Sequence, residues 1–171
     1  MHLLPSARSE RHRVSDERET FMLDTHLFDR VVDGRIECAA LIRRKLLVTG
    51  VQAAELRAIP DTREERRAEL LQIFEEIAPE LCLASSMCWD VNGAGFEQAE
   101  WNDGTGRFDR MLIRLKEIDG KHHRQNLNQI RDVVIAETAI KLGTTLVSDD
   151  AKLRQVVLEF GGRARPSAYL S

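Results

Sequence analysis

Short apolar runs alternate with helical hydrophobic patterns along most of this chain. The runs that end at Leu23, Thr49 and Val147 are too short for helices and are typical of buried strands. Apolar residues recur every three to four positions in five further segments, which predicts helices. These segments are 51–59, 70–77, 108–118, 130–140 and 151–160. Strands that alternate with helices predict right-handed crossovers, and therefore an α/β fold with a parallel sheet.

Capping residues indicate where three of the helices begin. Thr49 with Gln52 three residues later forms a capping-box pattern, and residues 61–64 form a second one. Asn128 is a favourable N-cap for the helix that we expect to end at Gly143. The sequence therefore predicts both the strand ends and the helix starts that follow them.

Four acidic residues stand at these junctions between apolar segments and turns. Asp24 and Asp150 follow predicted strands, whereas Glu55 lies about a turn and a half into one predicted helix and Asp132 lies near the amino end of another. In an open parallel sheet, ligands bind outside the carboxyl ends of the strands. We therefore expect the four carboxylates, although distant in sequence, to converge at one edge of the sheet.

Each acid also has a simpler structural explanation. Asp149 or Asp150 would serve as the N-cap of the helix that begins at Ala151, and Asp132 would oppose a helix dipole. Asp24 and Asp132, however, interrupt otherwise apolar stretches, where an unpaired carboxylate is costly to desolvate. A bound cation would remove that cost, which favours a shared site.

The segments around these acids resemble the PIN-domain family. They are residues 22–25, 51–56, 128–136 and 143–150, and the similarity extends over 21–60 and 128–165. The resemblance implies a three-layer α/β/α sandwich with a central, mainly parallel sheet. It also implies that the four matching acids bind Mg²⁺ or Mn²⁺ and cut single-stranded RNA, leaving a 5′-phosphate and a 3′-hydroxyl. Many bacterial members of the family are toxins neutralised by a small antitoxin.

The chemistry of the acids agrees with such a metal site. Converging carboxylates repel one another, so that without a cation at least one of them would hold a proton. Hard oxygen ligands suit Mg²⁺ or Mn²⁺ better than zinc. We expect Asp24 and Asp132 to bind the principal ion, and Glu55 and Asp150 to complete its coordination. The residues expected to support these ligands are Thr25, His26, Ser148 and Asp149.

His26 departs from the family pattern, which usually has Asn at this position. Ser148 stands where the family often has Thr, and this change keeps the hydroxyl group. Asp149 is ambiguous, because its neighbour Asp150 matches the family's last acid and either residue would cap a helix.

Length and composition fit a single domain. The chain has 171 residues, of which 43% are hydrophobic, enough for one substantial core. We assign residues 21–171 to one PIN-like nuclease domain, with an irregular insertion near 85–106. Residues 1–20 are polar, and this composition predicts a flexible extension. The absence of an apolar stretch of membrane-spanning length and a polar amino terminus predict a cytoplasmic protein that is not bound to a membrane.

The net charge of -3 argues against a globally basic nucleic-acid-binding protein. Local basic patches would still contact phosphates, although solvated surface charge explains them at least as well. The candidate patches are 43–45, 121–124 and Arg163 with Arg165. An odd count of cysteines without a CxxC pair indicates reduced thiols rather than a zinc site.

The leading hypothesis is a Mg²⁺- or Mn²⁺-dependent endoribonuclease that acts on single-stranded RNA as the toxin of a toxin/antitoxin pair. Its expected partners are RNA, a small antitoxin protein and a second copy of the chain in a homodimer. One alternative is a catalytically silent PIN-like module that binds RNA or protein, although intact acids at all four positions count against it. Another is a haloacid dehalogenase-type phosphatase, which needs a second Asp where this chain has His26.

Overall fold

The computed structural model of the chain describes residues 19–88, 90–95, 97–100, 104–120 and 126–171. Its strands are β1 (Thr20–Leu23), β2 (Lys45–Thr49), β3 (Glu80–Cys82), β4 (Thr145–Val147) and β5 (Arg163–Arg165). The α-helices of these residues are α1 (His26–Val32), α2 (Cys38–Ile42), α3 (Gly50–Arg57), α4 (Glu64–Ile77), α5 (Arg107–Asp119), α6 (Leu127–Lys141) and α7 (Ala151–Glu159). Two short 3₁₀ helices cover Asp61–Arg63 and Ser167–Leu170.

The strands form one sheet in the order β3-β2-β1-β4-β5, and every neighbouring pair is parallel. Successive side chains of a strand point to opposite faces of a sheet. Accordingly, Met22 and Leu47 join a core with α5, α6 and α7, whereas Phe21 and Val48 join a second core with α1, α2 and α4. Helices thus cover both faces, and the predicted α/β/α sandwich with a parallel sheet is confirmed.

The order of the strands creates a switch point beside β1. From β1 the chain proceeds to β2 and β3 on one side, and it then crosses to β4 and β5 on the other side. Crevices for ligands form at such reversals, outside the carboxyl ends of the strands. Asp24 directly follows β1, and its backbone N–H donates to the carbonyl oxygen of Val147 at the end of β4, at 3.0 Å. The first predicted acid therefore lies at the switch point.

One of the three predicted helix starts is confirmed, and two are wrong. The Thr49 hydroxyl accepts from the N–H of Val51 at 3.2 Å, and the Gln52 side chain accepts from the N–H of Thr49 at 2.9 Å. Helix α6, in contrast, is capped by Asn126 rather than Asn128, because the Asn126 side chain accepts from the Asn128 N–H. Residues 61–64 start with a 3₁₀ turn that has no side-chain cap.

We expect Thr49→Ala to lower the free energy of unfolding by about 1 kcal/mol, the usual cost of a lost N-cap. Thr49 is fully buried, and its hydroxyl serves both the helix start and the Gln52 side chain. Urea denaturation followed by circular dichroism measures the change. Thr62→Ala is the control, since Thr62 is exposed. Equal stabilities of the two variants would show that the capping box contributes nothing.

Hydrogen bonds attach the segment 85–106 to the domain at several points. The hydroxyls of Ser85 and Ser86 donate to the buried Glu137 carboxylate of α6, at 2.8 and 2.6 Å. Gly93 has a φ of +89° and lies so close to the backbone of Gly50 that a Cβ at either position would clash. The part of this segment that the structure describes is therefore fixed against α3 and α6. Residues 89, 96 and 101–103 lie outside the described residues.

The predicted extension, residues 1–20, lies mostly outside the described residues, which begin at Glu19. Thr20 already belongs to β1, and the Glu19 carboxylate accepts from the hydroxyl of Thr145 at 2.8 Å. Within the described residues, none of the helices combines the length and the apolar character that a membrane span requires.

Candidate metal centre

Asp24 is the most buried of the four predicted ligands, with 6% of its surface exposed. One of its carboxylate oxygens accepts from the Ser148 hydroxyl at 2.5 Å. The same hydroxyl oxygen accepts from the backbone N–H of Asp150 at 3.1 Å. Ser148 therefore joins the turn after β4 to the carboxylate after β1, and it holds one oxygen of Asp24 in place.

Glu55 is held by residues from two other elements. The Thr25 hydroxyl donates to one of its carboxylate oxygens, and the Arg131 guanidinium lies 3.6 Å from the other. Thr25 precedes α1, Glu55 lies on α3 and Arg131 lies on α6, so three separate segments meet here. Thr25 and Arg131 therefore set the position of the Glu55 carboxylate at the site.

Asp132 has the most perturbed carboxyl group of the site. Burial raises its pKa first of all, and the negative charges of Asp24, Glu55 and Asp150 raise it further, to about 8 from an ordinary value of 3.8. His26 opposes this shift only in part. Among the described residues, none donates a hydrogen bond to the Asp132 carboxylate. The four predicted acids therefore lie close enough to act on one another, and repulsion outweighs attraction at Asp132.

Asp150 and Asp149 have separate roles. The Asp150 side chain caps α7, since it accepts from the N–H groups of Lys152 and Leu153 at 2.8 and 3.1 Å, and it is exposed. Its charge nevertheless contributes to the raised pKa of Asp132. The simpler explanation of Asp150 as a cap is therefore correct, and this acid also belongs to the electrostatic cluster.

Asp149 binds the carboxyl-terminal segment instead. Its two oxygens accept from the N–H and the hydroxyl of Ser167, each at 2.9 Å, and from the Arg30 guanidinium at 2.7 Å. Burial raises the pKa of Asp149, but these donors outweigh burial and hold the pKa below its ordinary value. Asp149 therefore joins α1 to the carboxyl-terminal segment.

We expect Asp149→Asn to lower the free energy of unfolding by about 1–2 kcal/mol, because it removes charge-assisted hydrogen bonds. The loss should disappear as the pH falls through the lowered pKa of Asp149, where the native residue also becomes protonated. Urea denaturation at pH 7 and at pH 3 measures both effects. A variant as stable as the native protein at pH 7 would contradict the structural role.

His26 lies at the mouth of the site. Its Nδ1 atom is 3.8 Å from the Asp24 carboxylate, and 81% of its side chain is exposed. The contact with Asp24 raises the pKa of His26, and the charges of Asp29 and Asp132 add to this effect. His26 therefore carries a positive charge beside the most buried acid of the cluster.

Two adjoining clefts open around these side chains. The first, which we call the acid cleft, encloses about 420 Å³ and is lined by Asp24, His26, Asp29, Arg30, Asp33, Asp149 and Asp150. The second, which we call the arginine cleft, encloses about 390 Å³ and is lined by Thr25, His26, Asp29, Glu55, Leu56, Ala58, Ile59, Pro60, Arg63, Arg66, Leu70 and Arg131. His26 and Asp29 belong to both clefts. Asp24 and Asp150 thus face one cleft, and Glu55 faces the other.

The donor set fits a hard divalent cation. All four predicted ligands are carboxylates, and the Asp132 carboxyl group is largely buried among like charges. Such a group is stabilised either by a proton or by a metal ion. Among the described residues, no three His, Cys, Asp or Glu side chains are arranged closely enough to hold a metal ion as they stand. Occupation by a cation would therefore require the carboxylates to draw together.

The fold and the site together define an α/β protein with a carboxylate cluster at the switch point of a parallel sheet. No family model matches the sequence, and none of the curated proteins matches it. Among solved structures, the chain is similar to VapBC2 from Rickettsia felis bound to a DNA fragment from their promoter, at 15% identity and a TM-score of 0.45, over 86% of this chain and 98% of the other. It is also similar to VapBC-5, of the VapBC family of toxin-antitoxin systems from Mycobacterium tuberculosis, at 22% identity and a TM-score of 0.43, over 86% and 96%.

Several residues around the site could not be found from sequence patterns. Asp29 and Asp33 line the acid cleft from α1 and the turn after it, where they also bind Arg66 of α4. Arg131 reaches Glu55 from the position directly before Asp132. These contacts depend on how the helices pack over the sheet, so the spacing of residues along the chain does not predict them.

Proposed function

We propose that this protein is a Mg²⁺- or Mn²⁺-dependent endoribonuclease that cleaves phosphodiester bonds in single-stranded RNA. The observation that supports this proposal most directly is the state of Asp132. Its carboxyl group is partly buried beside three other carboxylates, and its pKa is raised to about 8. A structural role alone offers no reason to gather four acids at the ligand-binding edge of a sheet, because each adds repulsion.

Asp24 and Asp132 would hold the principal ion, and Glu55 and Asp150 would complete its coordination. When bound, a divalent cation supplies a water molecule of lowered pKa and stabilises the oxygen that leaves. Neighbouring hydroxyl groups would orient the ligands for the ion. Ser148 fixes one oxygen of Asp24, so that the other can face the cleft.

Thr25 plays the corresponding part for Glu55, by donating to one of its oxygens. Asp132 would release its proton when the site is loaded, since a metal ligand must be deprotonated. Loading should therefore become easier as the pH rises toward 8, where Asp132 ionises.

The proposed biological role is that of a toxin in a toxin/antitoxin pair. This part of the proposal rests on the resemblance of the segments 22–25, 51–56, 128–136 and 143–150 to PIN domains, many of which are toxins. It adds a small antitoxin protein as a partner, a homodimer as the functional form and the cytoplasm as the location. Co-expression with a neighbouring small gene that restores growth would support it.

A cleavage assay tests the enzymatic proposal. The purified full-length protein should cut a labelled single-stranded RNA of mixed sequence when Mg²⁺ or Mn²⁺ is present, and EDTA should stop the reaction. The products should carry 5′-phosphates, which a phosphate-dependent exonuclease detects. RNA that binds but stays intact in either metal would overturn the nuclease and favour a silent binding module. Hydrolysis of p-nitrophenyl phosphate without RNA cleavage would favour a phosphatase instead.

A further inference from the structure

The arginine cleft adjoins the acid cluster and carries two cationic groups that lack hydrogen-bonded carboxylate partners among the described residues. Arg131 enters it from α6 and Arg63 from the 3₁₀ turn before α4. Glu55, one of the proposed metal ligands, lines the same cleft. Two positive charges from distant parts of the chain therefore meet beside the reaction site.

Arg131 is incompletely satisfied by the rest of the protein. Its Nε atom is buried and has no hydrogen-bond partner among the described residues. Its Nη1 atom lies 3.6 Å from Glu55, beyond hydrogen-bond distance, and donates a long hydrogen bond of 3.4 Å to Asn128. An unpaired buried donor on a charged group is costly. An additional acceptor would therefore stabilise the Arg131 guanidinium.

The neighbouring arginines differ from Arg131 in this respect. The Arg66 guanidinium binds Asp29 and Asp33 at 2.7 and 2.9 Å. Arg67 binds Asp61 at 2.6 Å. For Arg63, which is exposed, the described residues supply no carboxylate within ion-pair distance. Arg63 therefore has no ion-pair partner among the described residues, and the one carboxylate near Arg131 there is Glu55, at 3.6 Å.

The walls of the cleft suit a nucleotide rather than a free anion. Ile59 and Pro60 present apolar surface next to the two arginines, where a ribose or a base can pack. Arginine favours phosphate, because its planar group donates two parallel hydrogen bonds. A cleft of about 390 Å³ also accommodates more than an isolated phosphate group.

We infer that the arginine cleft binds a phosphodiester of single-stranded RNA next to the one that is cut, with Arg63 and Arg131 as its phosphate ligands. This inference rests on the proposed nuclease function and names the surface that holds its substrate. It also explains how a chain with a net charge of -3 holds RNA beside four acids. His26 lines both clefts, and it would therefore lie between the two neighbouring phosphates.

The test is a binding titration with a fluorescent single-stranded oligoribonucleotide in Mg²⁺ at several salt concentrations. All proteins carry Asp132→Asn, which keeps the RNA intact. Adding Arg63→Gln or Arg131→Gln should weaken binding by about tenfold or more, the loss expected for one charge-assisted hydrogen bond. The slope of log Kd against log salt should fall by about 0.7 for each arginine removed, as for one phosphate contact on a single strand.

Arg110→Gln is the matched control, because it removes the same charge from an exposed position of α5 that lines neither cleft. Dissociation constants and salt slopes for Arg63→Gln and Arg131→Gln equal to those of Arg110→Gln would overturn the inference and assign the cleft to another occupant, such as a protein segment. The separate cleavage assay keeps the two proposals apart. If the variants lose RNA binding but the protein never cleaves RNA, the proposed binding cleft is supported and the proposed nuclease function is overturned.

Discussion

Replacing Asp24 by asparagine should abolish metal-dependent cleavage of RNA while the protein stays folded. Asn keeps an oxygen that can accept from Ser148, so the turn after β4 retains its hydrogen bond. The charge that would bind the cation is lost. Even groups that only support metal ligands typically contribute about 10- to 100-fold to activity or affinity. We therefore expect cleavage to fall by more than about a hundredfold, measured as the single-turnover rate in Mg²⁺.

The control for this substitution is Asp109→Asn, which removes an exposed acid from the first turn of α5. Its cleavage rate should stay within about twofold of the native rate, as surface changes away from the site are usually mild. Circular dichroism should give the same spectrum for all three proteins. Full activity of folded Asp24→Asn protein would remove this residue from the site.

The substitution Asp132→Asn should make the metal-free protein more stable at neutral and alkaline pH. The pKa of Asp132 is about 8 in the folded protein, whereas an unperturbed aspartate has a pKa of 3.8. The folded protein therefore holds this proton more tightly than the unfolded chain does. The stability that results is complete below about pH 4 and is lost as the pH rises to about 8.

Asparagine mimics the protonated carboxyl group at every pH, so the variant does not lose that stability. Since one pKa unit corresponds to about 1.4 kcal/mol, a gain of about 2–4 kcal/mol at pH 8 is a conservative expectation. Urea denaturation in EDTA at pH 4, 6 and 8 measures it, and the difference from the native protein should grow with pH. Asp90→Asn, at an exposed loop position, should show no such trend. A variant that is less stable than the native protein at pH 8 would contradict the repulsion among the four acids.

Local chemistry explains why much of the fold could be predicted from the sequence. The runs that end at Leu23 and Thr49 are apolar and short, and the structure places both in the centre of the sheet. The edge strands β3 and β5 were not predictable, because Glu80–Cys82 and Arg163–Arg165 are largely exposed and follow no apolar pattern. Their pairing is set by the central strands and not by their own residues.

The same distinction applies to the helix starts. The pattern of Thr49 and Gln52 is satisfied by contacts within four residues, and it forms as expected. Asn126 and Asn128 are equally good caps in isolation, and the structure places the cap at Asn126. Sequence spacing alone could not make that choice.

For the site, the sequence indicated which acids would meet but not how they would be held. The contacts from Thr25 to Glu55 and from Ser148 to Asp24 join segments 30 and 124 residues apart. The basic patches predicted from the sequence also differ from the arginines of the cleft, which are Arg63, Arg66 and Arg131. Arg44 packs over Phe21 and Arg165 over Tyr169, and residues 121–124 lie outside the described residues.

If the four acids form one divalent-cation site, a calorimetric titration with Mn²⁺ should detect it. At pH 7.5 the native protein should bind Mn²⁺ and release protons as Asp132 ionises, so that the measured enthalpy depends on the buffer. Asp24→Asn and Asp132→Asn should bind Mn²⁺ much more weakly, and Asp109→Asn, which changes an exposed acid of α5, should bind it like the native protein. Native-like binding by Asp24→Asn and Asp132→Asn, or no binding by the native protein, would show that the four acids do not form such a site.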